Sequence, residues 1–257
     1  HKSQHQSMLV SNIQKFKLSG LFRDECIKIG ECRSREEEVN IVNGMLVHTK
    51  QDLGKKDLSL QTKFENVINL VQLALLGYKT EFGHIHAVNL TQEFNVMPKC
   101  LGYVACAALL DSQSDLLIMI INSIQKDLAS NEPIRMILAL SAITQLVTPD
   151  LLPSVVTFIN GCLNHQVSLV RQKAVMCVHS FVKKDPASAV EFFPDLCRLL
   201  LDSDLSIINA VATTFSEMLR NTLNVTRIQD SITDIVNNAQ AIITEQVRIE
   251  YLHQKTL

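Results

Sequence analysis

Apolar residues recur at intervals of three and four along most of the 257-residue chain, which is the period of an α-helix. The runs 70–76, closed by Gly77, and 137–143, which lies ahead of Pro149, show this spacing clearly. Short β-branched runs lack the alternation and the hairpin turns of paired strands. The pattern therefore predicts an all-α protein of about a dozen helices, each of roughly 12–20 residues.

The start of one helix is marked by a capping box, Ser34-Arg35-Glu36-Glu37. In such a box, a serine hydroxyl and a glutamate carboxylate three residues later satisfy free amides at the helix start. The acidic residues 36–38 also favour the positive end of the helix dipole. We therefore expect a helix over residues 34–50, followed by a polar loop over residues 51–60.

Prolines and basic residues indicate an internal repeat. Pro133, Pro153 and Pro194 each precede an apolar run, as first-turn prolines do. Four residues near the starts of apolar helices lie 36, 36 and 38 positions apart: Lys99, Arg135, Arg171 and Asn209. This period is typical of two-helix units that stack because one helical pair cannot bury its apolar face alone.

The repeat predicts a right-handed α-solenoid of HEAT-like helical hairpins, with a non-repeating helical bundle as the alternative. Residues 20–257 are expected to form this single solenoid, and residues 1–19 to be flexible or a short N-terminal helix. The chain starts with His1, and its polar beginning does not resemble a signal peptide. We therefore expect a fragment of a longer protein.

Charge and composition argue against several classes of protein. Lys and Arg number 24 against 26 Asp and Glu, so the formal net charge is −2, whereas a dedicated nucleic-acid-binding protein is usually basic. The longest apolar stretches, 136–147 and 116–121, fall short of the ~18 residues that a membrane-spanning helix needs. Seven cysteines without a paired short spacing favour a reducing compartment over a disulfide-bonded secreted fold.

Candidate catalytic and metal-binding residues are weak. His84 and His86 lie two positions apart, which places them on different sides of a helix. The sequence lacks the spaced motifs of metalloproteases, zinc sites and phosphate-binding loops. Most of the cysteines are expected to be buried and structural. We therefore predict no catalytic residue, no cofactor and no metal site, and hence a protein that is not an enzyme.

The strongest basic runs are Lys55-Lys56 and Lys183-Lys184, each followed by an aspartate. Both are expected at solvated helix ends or in loops. A basic residue near an anionic lipid surface contributes about 1 kcal/mol. Two lysines can therefore assist membrane contact without anchoring the protein.

Several blocks spread over residues 20–220 together resemble a known family. They are Leu76-Gly77-Tyr78, the runs 82–90, 122–128 and 170–175, Leu101-Gly102-Tyr103, and the upstream run 29–38. The blocks are similar to the N-terminal trunk of the large subunits of adaptor protein complexes, in the gamma, alpha and epsilon class. Within that class the epsilon chain of the fourth adaptor complex is the best fit, and the alpha chain of the endocytic adaptor is the main alternative.

The resemblance implies a scaffold in a vesicle coat. Such a trunk cradles a small sigma-type and a medium mu-type subunit and pairs with a beta-type large chain. An Arf-family GTPase would recruit the complex to trans-Golgi network or endosomal membranes, where it sorts transmembrane cargo. The protein would then be cytoplasmic and peripheral on the membrane. An unrelated HEAT-repeat interaction scaffold is the remaining alternative, although the Trp ladder of armadillo transport receptors is absent because the chain has no Trp.

One departure from the family bears on recruitment. Alpha chains carry a lysine-rich, phosphoinositide-binding stretch where this chain reads Lys63-Phe64-Glu65-Asn66. Losing several phosphate-pairing cations removes most of such affinity, so Lys63, with Lys55 and Lys56, is expected to make only weak anionic-lipid contact.

The resemblance also implies two protein-binding surfaces. We expect one face of the N-terminal helices, including residues 34–50, to bind the sigma-type subunit, and exposed ends of the early repeats to contact the GTPase.

Overall fold

A computed structural model describes residues 20–111, 114–146, 148 and 151–222. Every regular element in this part of the chain is helical, as the apolar spacing predicts. The predictions for residues 1–19 and for the C-terminal residues 223–257 lie outside the described residues. The helices are α1 (Gly20–Glu31), α2 (Arg35–Leu53), α3 (Leu60–Leu75), α4 (His84–Thr91), α5 (Val96–Leu109), α6 (Leu117–Leu128), α7 (Pro133–Leu146), α8 (Leu152–Leu163), α9 (Ser168–Lys184), α10 (Ala189–Leu199) and α11 (Leu205–Thr222), with 3-10 turns at Glu81–Gly83 and Pro186–Ser188.

The helices fall into two compact units whose boundary, between Ser123 and Ile124, lies within α6. In the first unit α1 packs on α2, α2 on α3, and α5 against both α3 and α4. In the second unit α9 packs against α7 and α11, while α8 and α10 form a second layer beside it. Each unit is thus built from stacked helical hairpins. The prediction of one solenoid domain over residues 20–257 stays a prediction.

Aliphatic side chains form the cores. In the first unit Val42, Met45 and Leu73 form a buried cluster that joins α2 to α3. In the second unit Val155 and Ile159 of α8 are fully buried. Each such side chain contributes about 1.5–3 kcal/mol when it leaves water, so stacking of apolar faces is the main source of stability.

The capping box acts at the start of α2, as predicted. The Ser34 hydroxyl accepts a hydrogen bond from the Glu37 amide at 3.2 Å, and the Glu37 carboxylate accepts one from the Arg33 amide at 3.0 Å. The predicted loop over residues 51–60 is wrong at its start, because α2 continues to Leu53. Leu53 is buried and extends the apolar face of the helix through polar neighbours.

Two of the three proline predictions are confirmed. Pro133 is the first residue of α7, and Pro153 is the second residue of α8. Pro194 is not a first-turn proline: it lies inside α10, where it removes one backbone hydrogen bond. Phe192 and Leu196 are buried on either side of it, so burial of this face carries the helix through the proline.

Two of the four repeat residues, Lys99 and Arg171, donate to backbone carbonyls at or just after the end of a preceding helix. Lys99 is buried in α5 and donates to the carbonyl of Thr91, the last residue of α4. Arg171 of α9 donates to the His165 carbonyl at 2.8 Å and the Gln166 carbonyl at 2.9 Å, in the turn after α8. Carbonyls at and beyond a helix end lack intrahelical donors, which gives the cations at these two repeat positions a structural role.

Candidate interaction surfaces

The motif Leu76-Gly77-Tyr78 ends α3 in a Schellman motif. Gly77 adopts a positive φ of 89° and donates its amide to the Ala74 carbonyl at 2.9 Å, while the Tyr78 amide donates to the Leu73 carbonyl at 3.0 Å. A side chain is disfavoured at this φ. The glycine therefore directs Tyr78 back toward α2, where its hydroxyl donates to the Glu38 carboxylate at 3.1 Å.

The motif Leu101-Gly102-Tyr103 marks the close approach of α4 and α5. A Cβ atom on Gly102 would lie 2.5 Å from the Thr91 nitrogen and 2.7 Å from the Leu90 carbonyl carbon. Both are backbone atoms, which cannot rotate away. Glycine therefore sets the distance between the two helices, and both motifs of the family resemblance have a structural cause.

An open cleft of about 550 Å³ lies where α1, the start of α2 and the end of α3 meet. Burial and the hydrogen bond to Glu38 raise the pKa of Tyr78 at its edge. The cleft combines an apolar and a charged lining, from Ile29, Val39 and Leu76 and from Arg33, Arg35 and Glu38. This mixture suits a protein contact better than an enclosed small-molecule site.

Exposed apolar side chains mark the same unit. Val47 is 57% exposed on α2, and Ile27 is also exposed on α1. Leu75 and Phe94 are each 78% exposed, at the end of α3 and in the turn before α5. Exposed apolar groups of this size on a folded unit are candidates for partner contact. Sequence spacing had not located them, because a three–four pattern does not say which apolar residue a neighbouring helix covers.

The three lysines predicted to touch anionic lipid lie around the turn between α2 and α3. Lys55 pairs with Asp52 at 2.6 Å, while Lys56 is exposed. Lys63 is partly buried in the first turn of α3. Burial of the His86 imidazole, and then the positive charge of Lys63, lower the pKa of His86. Phe64 and Asn66 are buried, so the residues that follow Lys63 serve the core.

The described residues contain no group of three or more His, Cys, Asp or Glu side chains placed to hold a metal ion. His84 and His86 are the first and third residues of α4. Of the seven free cysteines, three are buried and four are partly buried. Burial raises the pKa of Cys106 to about 12 and of Cys162 to about 11, so these thiols stay protonated near neutral pH.

Within the described ranges, no helix has both the length and the apolar character needed to cross a bilayer.

Sequence reasoning also missed the polar network of the second unit. Arg171 donates from Nε and Nη2 to the two carboxylate oxygens of Asp202, at 2.7 and 2.9 Å. The Asp202 carboxylate also accepts from the Asp204 amide at 3.0 Å. This network ties the turn before α9 to the turn before α11. The only signal in the sequence was the repeated cation, which gave no indication of its partner.

Comparison with known proteins identifies the family. The family described as Adaptin N terminal region matches residues 42–252. AP-4 complex subunit epsilon from Arabidopsis thaliana is 33% identical over 224 residues, covering 87% of this chain and 23% of that protein. The subunit of the same name from Dictyostelium discoideum is 34% identical over 192 residues, covering 74% and 18%.

Two further similarities are more distant. AP-1 complex subunit gamma-1 from Schizosaccharomyces pombe is 29% identical over 200 residues, covering 77% of this chain and 23% of that protein. A structure described as a homology model of the full-length AP-3 complex in an intermediate open conformation matches with a TM-score of 0.58 at 20% identity. It covers 74% of this chain and 35% of that chain, and at this identity it shows the fold alone.

The chain spans less than a quarter of the length of the curated relatives described above. The structural match confirms the all-α solenoid class that the repeat predicts. Epsilon subunits from plant, amoeba, mouse and human are among its relatives, as the motif resemblance indicates. The chain therefore belongs to the adaptin N-terminal family of adaptor-complex large subunits and is similar to its epsilon class.

Proposed function

We propose that this chain is the scaffold trunk of a large subunit in a vesicle-coat adaptor complex. The observation that carries the proposal is the family match over residues 42–252, on a fold of stacked helical hairpins. Stacked hairpins present long surfaces for binding other proteins. In this role the chain holds small sigma-type, medium mu-type and beta-type subunits together and contributes no catalytic group.

The first proposed surface binds the sigma-type subunit through α1 and α2. Its support is the pair of exposed apolar residues Ile27 and Val47, on the unit that also carries the open cleft. Burial of the Val47 side chain against the subunit would stabilise the complex through the hydrophobic effect. The trunk should therefore be more soluble and more monodisperse when co-expressed with that subunit.

Co-purification with the sigma-type subunit tests this surface. Val47→Glu should abolish co-purification because it places a charge in an apolar contact. Asn122→Glu is the matched control, since Asn122 is an exposed residue of α6 outside the proposed surface. Equal recovery of the subunit by both variants would remove α2 from the interface.

The second proposed surface consists of exposed ends of the early repeats and contacts an Arf-family GTPase. Leu75 and Phe94 support it, because large apolar side chains at helix ends are accessible to a partner. GTP-locked Arf should retain the wild-type trunk in a pull-down and retain Leu75→Glu more weakly. No binding by this trunk, together with binding by the beta-type trunk alone, would assign GTPase contact to the other large chain.

We further propose that the complex acts at trans-Golgi network and endosomal membranes, where it sorts transmembrane cargo after GTPase recruitment. Lys55, Lys56 and Lys63 would assist as a weak anionic-lipid contact worth about 1 kcal/mol per residue. Pairing of Lys55 with Asp52 reduces that contribution. Flotation with phosphatidylserine vesicles should therefore require GTP-loaded Arf. Efficient flotation without Arf on phosphoinositide vesicles would favour the alternative of an alpha-type endocytic chain.

Affinity purification from cells separates the coat function from an unrelated HEAT-repeat scaffold. The coat function predicts co-isolation of sigma-type, mu-type and beta-type chains. Recovery of a different set of partners, with none of these subunits, would contradict it.

A further inference from the structure

Helix α9 carries four cationic residues and no acidic residue among its 17 positions. This composition contrasts with its surroundings, because residues 61–257 hold 14 Lys and Arg against 18 Asp and Glu. Arg171 is neutralised by its two hydrogen bonds to Asp202. The other cationic residues of α9 are Lys173, which is partly buried, and Lys183 and Lys184, which are exposed.

The uncovered side of α9 combines these lysines with apolar side chains. Leu169 is 46% exposed and Met176 is 43% exposed, and their seven-residue spacing places them about 10 Å apart on one side of the helix. Lys173 lies between them, and Lys183 follows Met176 by the same seven residues. We call Leu169, Lys173, Met176 and Lys183 the α9 stripe.

Acidic residues beside α7 and on α11 are ion-paired with nearby arginines, whereas Glu191 of α10 is exposed. On α7, Glu132 at the N-terminal turn pairs with Arg135 at 3.0 Å. On α11, Glu217 pairs with Arg220 at 3.0 Å. Among the described residues, neither Lys173 nor Lys183 has a carboxylate within ion-pair distance. The α9 stripe is therefore a positively charged surface with apolar positions.

The neighbouring helices α7 and α11 also carry exposed uncharged residues. Ile134 of α7 is exposed, and Asn209, Thr213 and Ser216 of α11 are exposed as well. Thr213 and Ser216 donate their hydroxyl hydrogens to carbonyls of their own helix. A partner that reached these two hydroxyls would therefore leave neither donor without a hydrogen bond.

We propose that the α9 stripe docks an acidic segment of a partner protein, with two apolar side chains spaced to meet Leu169 and Met176. Charge complementarity selects this occupant: acidic side chains would pair with Lys173 and Lys183 while the apolar pair is covered. A lipid surface fits less well, because lipid-binding clusters typically contain four to eight basic residues.

The test uses the whole chain and a labelled synthetic peptide whose binding is followed by fluorescence anisotropy. The peptide carries two leucines seven residues apart with glutamates around them. A control peptide replaces each glutamate with glutamine and each leucine with serine. The acidic peptide should bind at low salt and weaken as salt rises, because exposed charge pairs are screened. The control peptide should not bind.

Variants locate the binding on the stripe. The double variant Lys173→Glu with Lys183→Glu should weaken peptide binding about tenfold or more. Met176→Ser should also weaken binding, but the affinity of this variant should depend on salt as the wild type's does. Lys126→Glu, which reverses an exposed charge on α6, is the matched control and should bind normally. Thermal melts of all variants should match, which separates loss of binding from loss of fold.

Three results would overturn the proposal. The first is no binding of the acidic peptide by the wild-type chain at low salt. The second is equal weakening by the stripe variant and by Lys126→Glu, which would indicate non-specific attraction. The third is binding of phosphatidylserine vesicles that depends on Lys173 and Lys183 without peptide binding, which would make the stripe a membrane surface. These outcomes do not depend on co-purification of coat subunits, so they are distinct from failure of the proposed function.

Discussion

Replacing Gly102 with alanine should destabilise the first unit, whereas the same replacement at Gly44 should stabilise it. At Gly102 the new Cβ would lie within 3 Å of three atoms of Thr91 and Leu90, so α4 and α5 must separate. Overpacking of this kind costs about 2–3 kcal/mol, and the higher helix propensity of alanine returns about 0.5–1 kcal/mol. The expected net loss is about 1–2.5 kcal/mol.

At Gly44, in the middle of α2, nothing lies within 4 Å of the added Cβ, so only the gain of about 0.5–1 kcal/mol remains. Thermal unfolding followed by circular dichroism measures both changes. A loss of this size at Gly102 lowers Tm by about 2–10 °C for a chain of this length, while Gly44→Ala raises it slightly. A Gly102→Ala variant at least as stable as the wild type would refute the close approach of α4 and α5.

Three further predictions concern stability. Arg171→Met should cost about 2–4 kcal/mol at pH 7, because it leaves the mostly buried Asp202 carboxylate without its partner. The hydrogen bond from Arg171 lowers the pKa of Asp202, so the pair stabilises the fold above the ordinary aspartate pKa of about 4 and loses this effect as pH falls through the lowered value. Urea titrations should therefore show a smaller difference in unfolding free energy between wild type and variant in acid than at pH 7. The same difference at both pH values would contradict the pairing. Ser34→Ala should cost about 1 kcal/mol by removing the cap of α2, with Ser34→Asp as the control that keeps a capping oxygen. Gly77→Ala should cost about 1–2 kcal/mol because residue 77 has a positive φ. Gly77→Asn should cost less, since asparagine tolerates the left-handed backbone region. Equal melting temperatures for the two variants would argue against a conformational cause.

Local features were readable from the sequence wherever the physics involves only neighbouring residues. The Ser34 cap and the first-turn position of Pro133 depend on backbone groups within one turn, and both are confirmed. Pro194 shows the limit of such reasoning. Burial of Phe192 and Leu196 on a neighbouring layer outweighs the lost hydrogen bond, and that burial is not visible in local sequence.

The amino-acid sequence by itself determined the all-α class, the repeat near 36 residues and the family, because helical periodicity and motif glycines are properties of the chain's own backbone. Tertiary structure alone decided which members of those apolar and basic sets face outward. Val47 and Met176 share the spacing of core residues yet remain exposed, and Arg171 is neutralised by an aspartate 31 residues away. Exposure and ion pairing depend on the helices that lie alongside, so they are fixed only once the hairpins have stacked.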